Sequence, residues 1–164
     1  MVELRGYGDA DTFRWTSGIF VNGLLTMSPG RGVTIVTIAM TEFSCTVTNT
    51  YASYDTQTAV VQTELYDTMM AFPTGSIILG ISKDTTIDSG TLPDMSDVDD
   101  EYGTRFTDLQ LRGTQIFMVK RGDPSFAKVF LCSTRFGPLQ WAHELKPFAK
   151  GTCTYLLYMH RLIK

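Results

Sequence analysis

Two histidines, His143 and His160, and three cysteines, Cys45, Cys132 and Cys153, are the side chains of this 164-residue chain best suited to act as a base or nucleophile near neutral pH. None stands in a spacing that such chemistry uses. The chain carries no Gly-x-Ser-x-Gly elbow, no His-Glu-x-x-His helix, no Walker phosphate loop and no Gly-x-Gly-x-x-Gly turn. The cysteines lack zinc-ligand spacing, and an odd number cannot all pair within one chain. Buried free thiols on strands are the expected state, with one disulfide plus one free thiol as the alternative. A Cys-His-Asp site assembled from distant segments is the enzymatic arrangement that sequence leaves open, because such triads are spatial. The expectation is a chain with no catalytic residues, no cofactor and no metal.

Asp94, Asp97, Asp99, Asp100 and Glu101 offer the oxygen ligands that calcium takes, but without the ordered Asp-x-Asp-x-Asp-Gly spacing of a dedicated loop. A solvated acidic segment is expected instead. Arg121-Gly122-Asp123 is a tripeptide that some adhesion receptors read, yet Gly-Asp-Pro is also turn sequence and Pro124 restricts its presentation. A hairpin turn is expected there.

These groups need a scaffold, and the composition says which kind. Hydrophobic residues make up 43% and charged ones 19%, with 7 Tyr, 10 Phe and 2 Trp, far from the profile of a disordered chain. At this length one domain over residues 1–164 is the default, able to bury a core without staples. A net charge of -3 supplies no field for a phosphate backbone, so nucleic acid is not an expected partner. No run of about 18 apolar residues appears, so membrane insertion is not expected, and residues 1–11 carry Glu3, Arg5, Asp9 and Asp11 where a signal peptide would be apolar. Synthesis in a cytoplasm follows from that reading.

Along the chain, residues 18–25 read as a short strand carrying a turn at Asn22-Gly23, the dipeptide that best tolerates positive φ. After Pro29-Gly30-Arg31-Gly32, the β-branched run 33–39 is a strand, and 45–51 offers another, ending in Ser53, Tyr54 and Asp55 as helix-entry residues. Within 56–72, Val61, Leu65, Met69 and Phe72 fall four, four and three apart, which predicts a helix ended by Pro73 and Gly75. The apolar run 76–82 predicts a central strand buried on both faces. Residues 84–106 are irregular and acidic, a long loop with at most a short helix around 95–102. Segments 111–120 and 126–132 flank the turn at 121–124 as a hairpin, and 152–162 reads as a last strand.

Phe20-Val21-Asn22-Gly23, a six-residue spacer and then Gly30-Arg31-Gly32-Val33 resemble the opening of the domain named after the interleukin-like inducer of epithelial-mesenchymal transition (ILEI). Further resemblance lies in Pro73-Thr74-Gly75-Ser76-Ile77-Ile78-Leu79, in Lys83-Asp84, and in Leu109-Gln110-Leu111-Arg112-Gly113-Thr114-Gln115-Ile116-Phe117, which is similar to the family's Leu-Gly-Trp-Arg-Asp-Thr-Trp segment. The matched region is 20–130. That domain occurs in secreted cytokine-like proteins, in hyaluronan-processing proteins, in the stem of a glycosyltransferase that extends O-mannose, and in bacteriophage virion proteins.

The resemblance implies a sandwich of two packed antiparallel sheets and a sugar held by the residues matching the stem's acid and arginine, Asp84 and Arg112. A carboxylate accepting from vicinal hydroxyls and a guanidinium donating to sugar oxygens suit that task. An Asp84-Arg112 salt bridge tying a loop to a strand is the alternative. The chain departs from the family in lacking the paired glycines and four cysteines of the cytokine-like members, and in carrying Leu111 and Gln115 where the family has Trp. Tyr51, Tyr54 or Tyr102 would then be the stacking substitute, or core. Together these readings predict an α+β, β-rich fold: two packed antiparallel sheets, one main helix and a long acidic loop. The expected role is a non-catalytic, lectin-like module on a phage tail, fibre or capsid surface, located on the virion or outside the cell. Its expected partners are a glycan or cell-surface receptor, together with neighbouring virion proteins or copies of itself. The alternative is a purely structural virion protein.

Overall fold

A computed structural model describes residues 2–6, 18–22, 24–28, 30–40, 45–56, 58–83, 94–109, 114–132 and 139–143. In chain order these form β1 (Val2–Gly6), β2 (Gly18–Val21), β3 (Leu24–Met27), β4 (Gly32–Met40), β5 (Cys45–Tyr54), α1 (Ala59–Ala71), β6 (Ile77–Lys83), α2 (Ser96–Tyr102), β7 (Thr114–Lys120), β8 (Lys128–Cys132) and β9 (Leu139–His143). The fold is α+β and β-rich. One antiparallel sheet runs β3-β2-β1-β9 and the other β5-β4-β6-β7-β8, which puts the apolar run of β6 at the centre of the larger sheet.

Alternation along the central strands separates two cores. Val33 and Ile35 of β4, Ile78 of β6 and Phe117 and Val119 of β7 face Leu65 and Met69 of α1 and Val98 and Tyr102 of α2. The intervening Val36, Ile38, Leu79, Ile81, Ile116 and Met118 face Val2, Leu4, Ile19 and Val21 of the smaller sheet. The molecule is thus layered as small sheet, large sheet, helices. Because both faces are covered, β4, β6 and β7 need near-continuous apolar sequence, whereas β1 needs only its alternate residues.

Local chemistry fixes the junctions. Asn22 sits at φ 54, as its turn requires, and its Nδ2 donates to the Cys45 carbonyl at 2.9 Å, tying the β2–β3 hairpin to the larger sheet. Gly32 adopts φ +95, and a Cβ there would strike the Tyr54 carbonyl, so glycine is required where β4 begins. At Gly80 the missing side chain is the space that the Phe117 ring fills, and that ring meets Phe106 edge to face at 5.5 Å between centroids.

Two readings differ from the sequence expectations, at the entry to α1 and in the smaller sheet. Ser53 and Tyr54 are not helix-entry residues: β5 runs on through Tyr54, and Thr58 is the N-cap, its side chain accepting from the Val61 amide at 3.4 Å. Glycine-free pairing against β4 extends the strand beyond its polar Thr-Asn-Thr stretch. The short helix allowed around 95–102 is present as α2, seated on the core by Met95, Val98 and Tyr102, and is followed by a 3-10 turn at Phe106–Asp108 whose Phe106 is fully buried. Finally, β1 and β9 pair with each other in the smaller sheet, where the sequence pattern signals no strand. The segment expected as a last strand, 152–162, lies outside the described residues.

Candidate functional site

Strand direction brings several chain ends to one end of the larger sheet. There β5 finishes at Tyr54, β4 starts at Gly32, β6 finishes at Lys83 and β7 starts at Thr114, in neighbouring positions. Adjacent strands lie ~4.8 Å apart, so this rim is about 14 Å across its four strand ends. Asp84 follows Lys83 directly and Arg112 precedes Thr114 by two residues; both lie outside the described residues. The strand ends that carry them are neighbours.

The register of β6 against β7 runs to Ile81 opposite Ile116. Beyond it the strands meet through a side chain: the Gln115 amide donates to Ser82 Oγ at 2.5 Å, and that hydroxyl donates to the Gln115 carbonyl at 3.3 Å. Gln115, fully buried, turns its side-chain carbonyl to accept the Arg105 amide at 3.1 Å. That bond fixes which end of the amide is oxygen, and it leaves Nε2 as a buried donor with no partner among the described residues. Two further buried polar atoms share this condition, Thr114 Oγ1 and Asp55 Oδ1. All three sit at the rim. Native interiors leave few such atoms, so their gathering at one place marks it out.

On the β4–β5 side of the rim, Arg31 Nε stands 3.9 Å from Asp55 Oδ2, an ion pair with both side chains nearly half exposed. Beneath it, Ser53 Oγ accepts from the Gly30 amide at 2.8 Å and shares a 2.5 Å hydrogen bond with Thr34 Oγ1. The backbone around Gly30-Arg31-Gly32 is therefore held by strand β5.

The acidic segment works as a brace for this rim. Asp99 Oδ1 accepts from the Phe106 amide and from Thr104 Oγ1, each at 2.7 Å. Its Oδ2 accepts from the Thr107 amide at 2.9 Å and from Thr107 Oγ1 at 2.7 Å. One carboxylate thus orders the turn that presents the Arg105 amide to Gln115. Among the described residues no three His, Cys, Asp or Glu side chains are grouped so as to hold a metal ion.

The tyrosines considered for stacking are committed elsewhere. Tyr102 is fully buried and donates to the Met69 carbonyl at 2.5 Å, and burial holds its phenol well above the ordinary range. Tyr51 packs edge to face on Phe72 at 5.3 Å, and the Tyr54 hydroxyl lies 3.0 Å from Thr68 Oγ1. All three belong to the helix-side core.

Arg121-Gly122-Asp123 forms the β7–β8 turn. Arg121 bonds the Phe72 carbonyl through Nη1 and Glu101 through Nε at 3.2 Å, while Asp123 accepts from Ser125 Oγ at 2.6 Å and pairs with Lys120 at 3.3 Å. Those hydrogen bonds hold the Asp123 carboxyl below its usual range. The arginine faces the protein and is not offered to a receptor. Cys45 is buried and free, and burial raises its thiol, the opposite of what a nucleophile needs. Cys132 lies on β8 and His143 on β9; Cys153 and His160 lie outside the described residues. Among the described residues no helix is long and apolar enough to cross a membrane.

No protein-family model and no curated protein matches the chain.

Proposed function

We propose that this chain is a non-catalytic recognition module of the interleukin-like inducer type, holding a glycan or cell-surface receptor at the rim of its larger sheet, with Asp84 and Arg112 as sugar ligands. The observation that carries the reading is that the ends of β6 and β7, from which the chain leaves for Asp84 and to which it returns from Arg112, are neighbours at a rim where buried polar atoms of Asp55, Thr114 and Gln115 have no partner among the described residues. The proposed setting is a bacteriophage virion surface, which rests on the resemblance. There many weak sites would act together.

A panel of bacterial surface polysaccharides and animal glycans, probed with the purified and multimerised chain, tests this. Selective binding that Arg112→Ala abolishes, at nearly unchanged thermal stability, is expected. A wild type silent across the panel together with a variant that unfolds early would make Arg112 a structural brace, and silence alone would favour a structural particle component.

One observation favours a second reading, a structural virion component that packs on its neighbours. Edge strand β3 exposes Leu24 at 73% and Leu25 at 48%, apolar surface that a neighbouring subunit would cover. Self-association lost in Leu24→Lys would support it.

A further inference from the structure

We infer that β3 is a docking edge for a second copy of this chain, the two β3 strands pairing antiparallel across a two-fold axis so that the smaller sheets join into one. The inference deepens the second reading of that edge and is independent of the glycan reading. β3 ends the order β3-β2-β1-β9, so one side of its backbone has no strand beside it among the described residues. Such a row of free N–H and C=O groups is a template for another strand, and folded chains blunt it with charge, proline or bulges. The edges of the larger sheet are blunted: pairing along β5 shifts register twice, and β8 opens on Lys128. β3 reads Leu24-Leu25-Thr26-Met27, with no charge and no proline, and its register shift falls between Leu25 and Met27, which leaves the two leucines in regular pairing.

The occupant is a strand at the edge because apolar surface is bare on both faces at once. Leu24 stands opposite Val21, which is buried against the larger sheet, and Leu25 stands opposite Phe20 on the outer face. Yet Leu24 is 73% exposed and Leu25 48%. A partner laid on either face would cover one leucine, whereas a strand added edge-on covers both. The edge is also preformed: Leu25 lies over Gly18, where a Cβ would strike its Cδ1, and the Asn22 side chain ties the hairpin to the Cys45 carbonyl. Pairing then costs little ordering.

That strand is a second β3 because β3 is its own complement. A two-fold axis perpendicular to the sheet keeps inner face with inner and outer with outer, so each leucine meets the partner on its own face. A charged edge would set like against like across that axis, and β3 carries no charge to do so. Nor does it present a charge pattern that would select a different chain. Four residues of edge fall short of the ~1,200 Å² that lasting complexes bury, so the pair is weak in dilute solution and forms where copies are held close together.

The test is sedimentation equilibrium of the full chain over a concentration series up to about 1 mM, with amide hydrogen exchange at both ends of the series. It compares the wild type, Leu24→Lys, Leu24→Glu and an equal mixture of the two variants. We expect a wild-type monomer–dimer equilibrium, with β3 amides exchanging about three-fold more slowly in the concentrated sample and those of β5 and β8 unchanged. Each variant alone should associate about ten-fold more weakly, because like charges face each other, and the mixture should regain wild-type association, because Lys meets Glu. Leu24 is exposed, so both variants should melt with the wild type. A wild type that stays monomeric throughout would overturn the inference while leaving intact the reading of a component that packs on other neighbours. A dimer that neither variant weakens, or one without slower β3 exchange, would overturn the strand pairing and keep self-association. A mixture no tighter than its parts would overturn the two-fold, making β3 dock on a different surface of the second copy.

Discussion

The two ends of the larger sheet are built on opposite terms. At the end where β6 starts and β7 finishes, the Tyr102 hydroxyl closes on the Met69 carbonyl at 2.5 Å, and Arg121 spans from the Phe72 carbonyl to Glu101. The β7–β8 turn is stitched to the α1–β6 connection there, the Gly75 amide donating to the Arg121 carbonyl at 2.9 Å and the Arg121 amide to the Ser76 carbonyl at 3.0 Å. This end is a clamp. At the rim, Thr114, Gln115 and Asp55 each leave a buried polar atom without a partner among the described residues. The lesson is that a short motif is read by what its side chains are already bonded to. Arg121-Gly122-Asp123 resembles an adhesion signal, yet its arginine is spent inside the clamp, whereas the rim looks plain in sequence and holds the unmet hydrogen-bonding capacity.

The largest effect should come from cutting the clamp. Arg121→Met keeps much of the stem but removes the charge-assisted bonds to Phe72 and Glu101, and should cost about 2 kcal/mol in a chemical denaturation curve. A loss near zero would mean that the clamp is decoration. Tyr102→Phe removes one buried hydrogen bond and should cost about 1 kcal/mol. It should also change the alkaline limb of stability. Burial raises the folded-state phenol above the unfolded value of about 10, so its contribution is fully present below that pH and is lost as pH rises through the folded value. The phenylalanine variant should therefore lose less stability above pH ~10 than the wild type.

The smallest effect has the sharpest sign. Thr34 and Thr114 are both buried on β-strands, but the Thr34 hydroxyl is bonded to Ser53 at 2.5 Å while the Thr114 hydroxyl has no partner among the described residues. Thr34→Val should destabilise by about 1 kcal/mol, and Thr114→Val should be neutral or stabilising by up to about 1 kcal/mol. Equal losses in the two would erase the difference between a satisfied and an unsatisfied rim hydroxyl.

The scaffold was largely legible because its signals are local. The Asn22 turn, the β-branched run of β4, the Leu65 and Met69 spacing of α1 and the apolar β6 each declare themselves within a few residues. The strands β1 and β9 escaped because each is only five residues long, and they pair across almost the whole described chain, a contact that no local window contains. The acidic stretch was harder still. Asp99 reads as one of five solvated acids, and only the folded chain returns Thr104, Phe106 and Thr107 to its carboxylate.

For the candidate site, Asp84 and Arg112 come from the resemblance, and their strand ends are neighbours, but the residues themselves lie outside the described ones. Gln115 stands where the resembled family carries a tryptophan. Its junction role had no sequence signal beyond that mismatch, because a buried glutamine inside an apolar strand says only that a partner exists somewhere.

The most direct test of the rim as a binding site is amide chemical-shift mapping of the wild-type chain with the glycan that the panel selects. The account predicts shifts at Arg31, Asp55, Lys83 and Thr114 with Arg121 and Gly122 unmoved; shifts centred on the β7–β8 turn or on β3, with the rim silent, would contradict it.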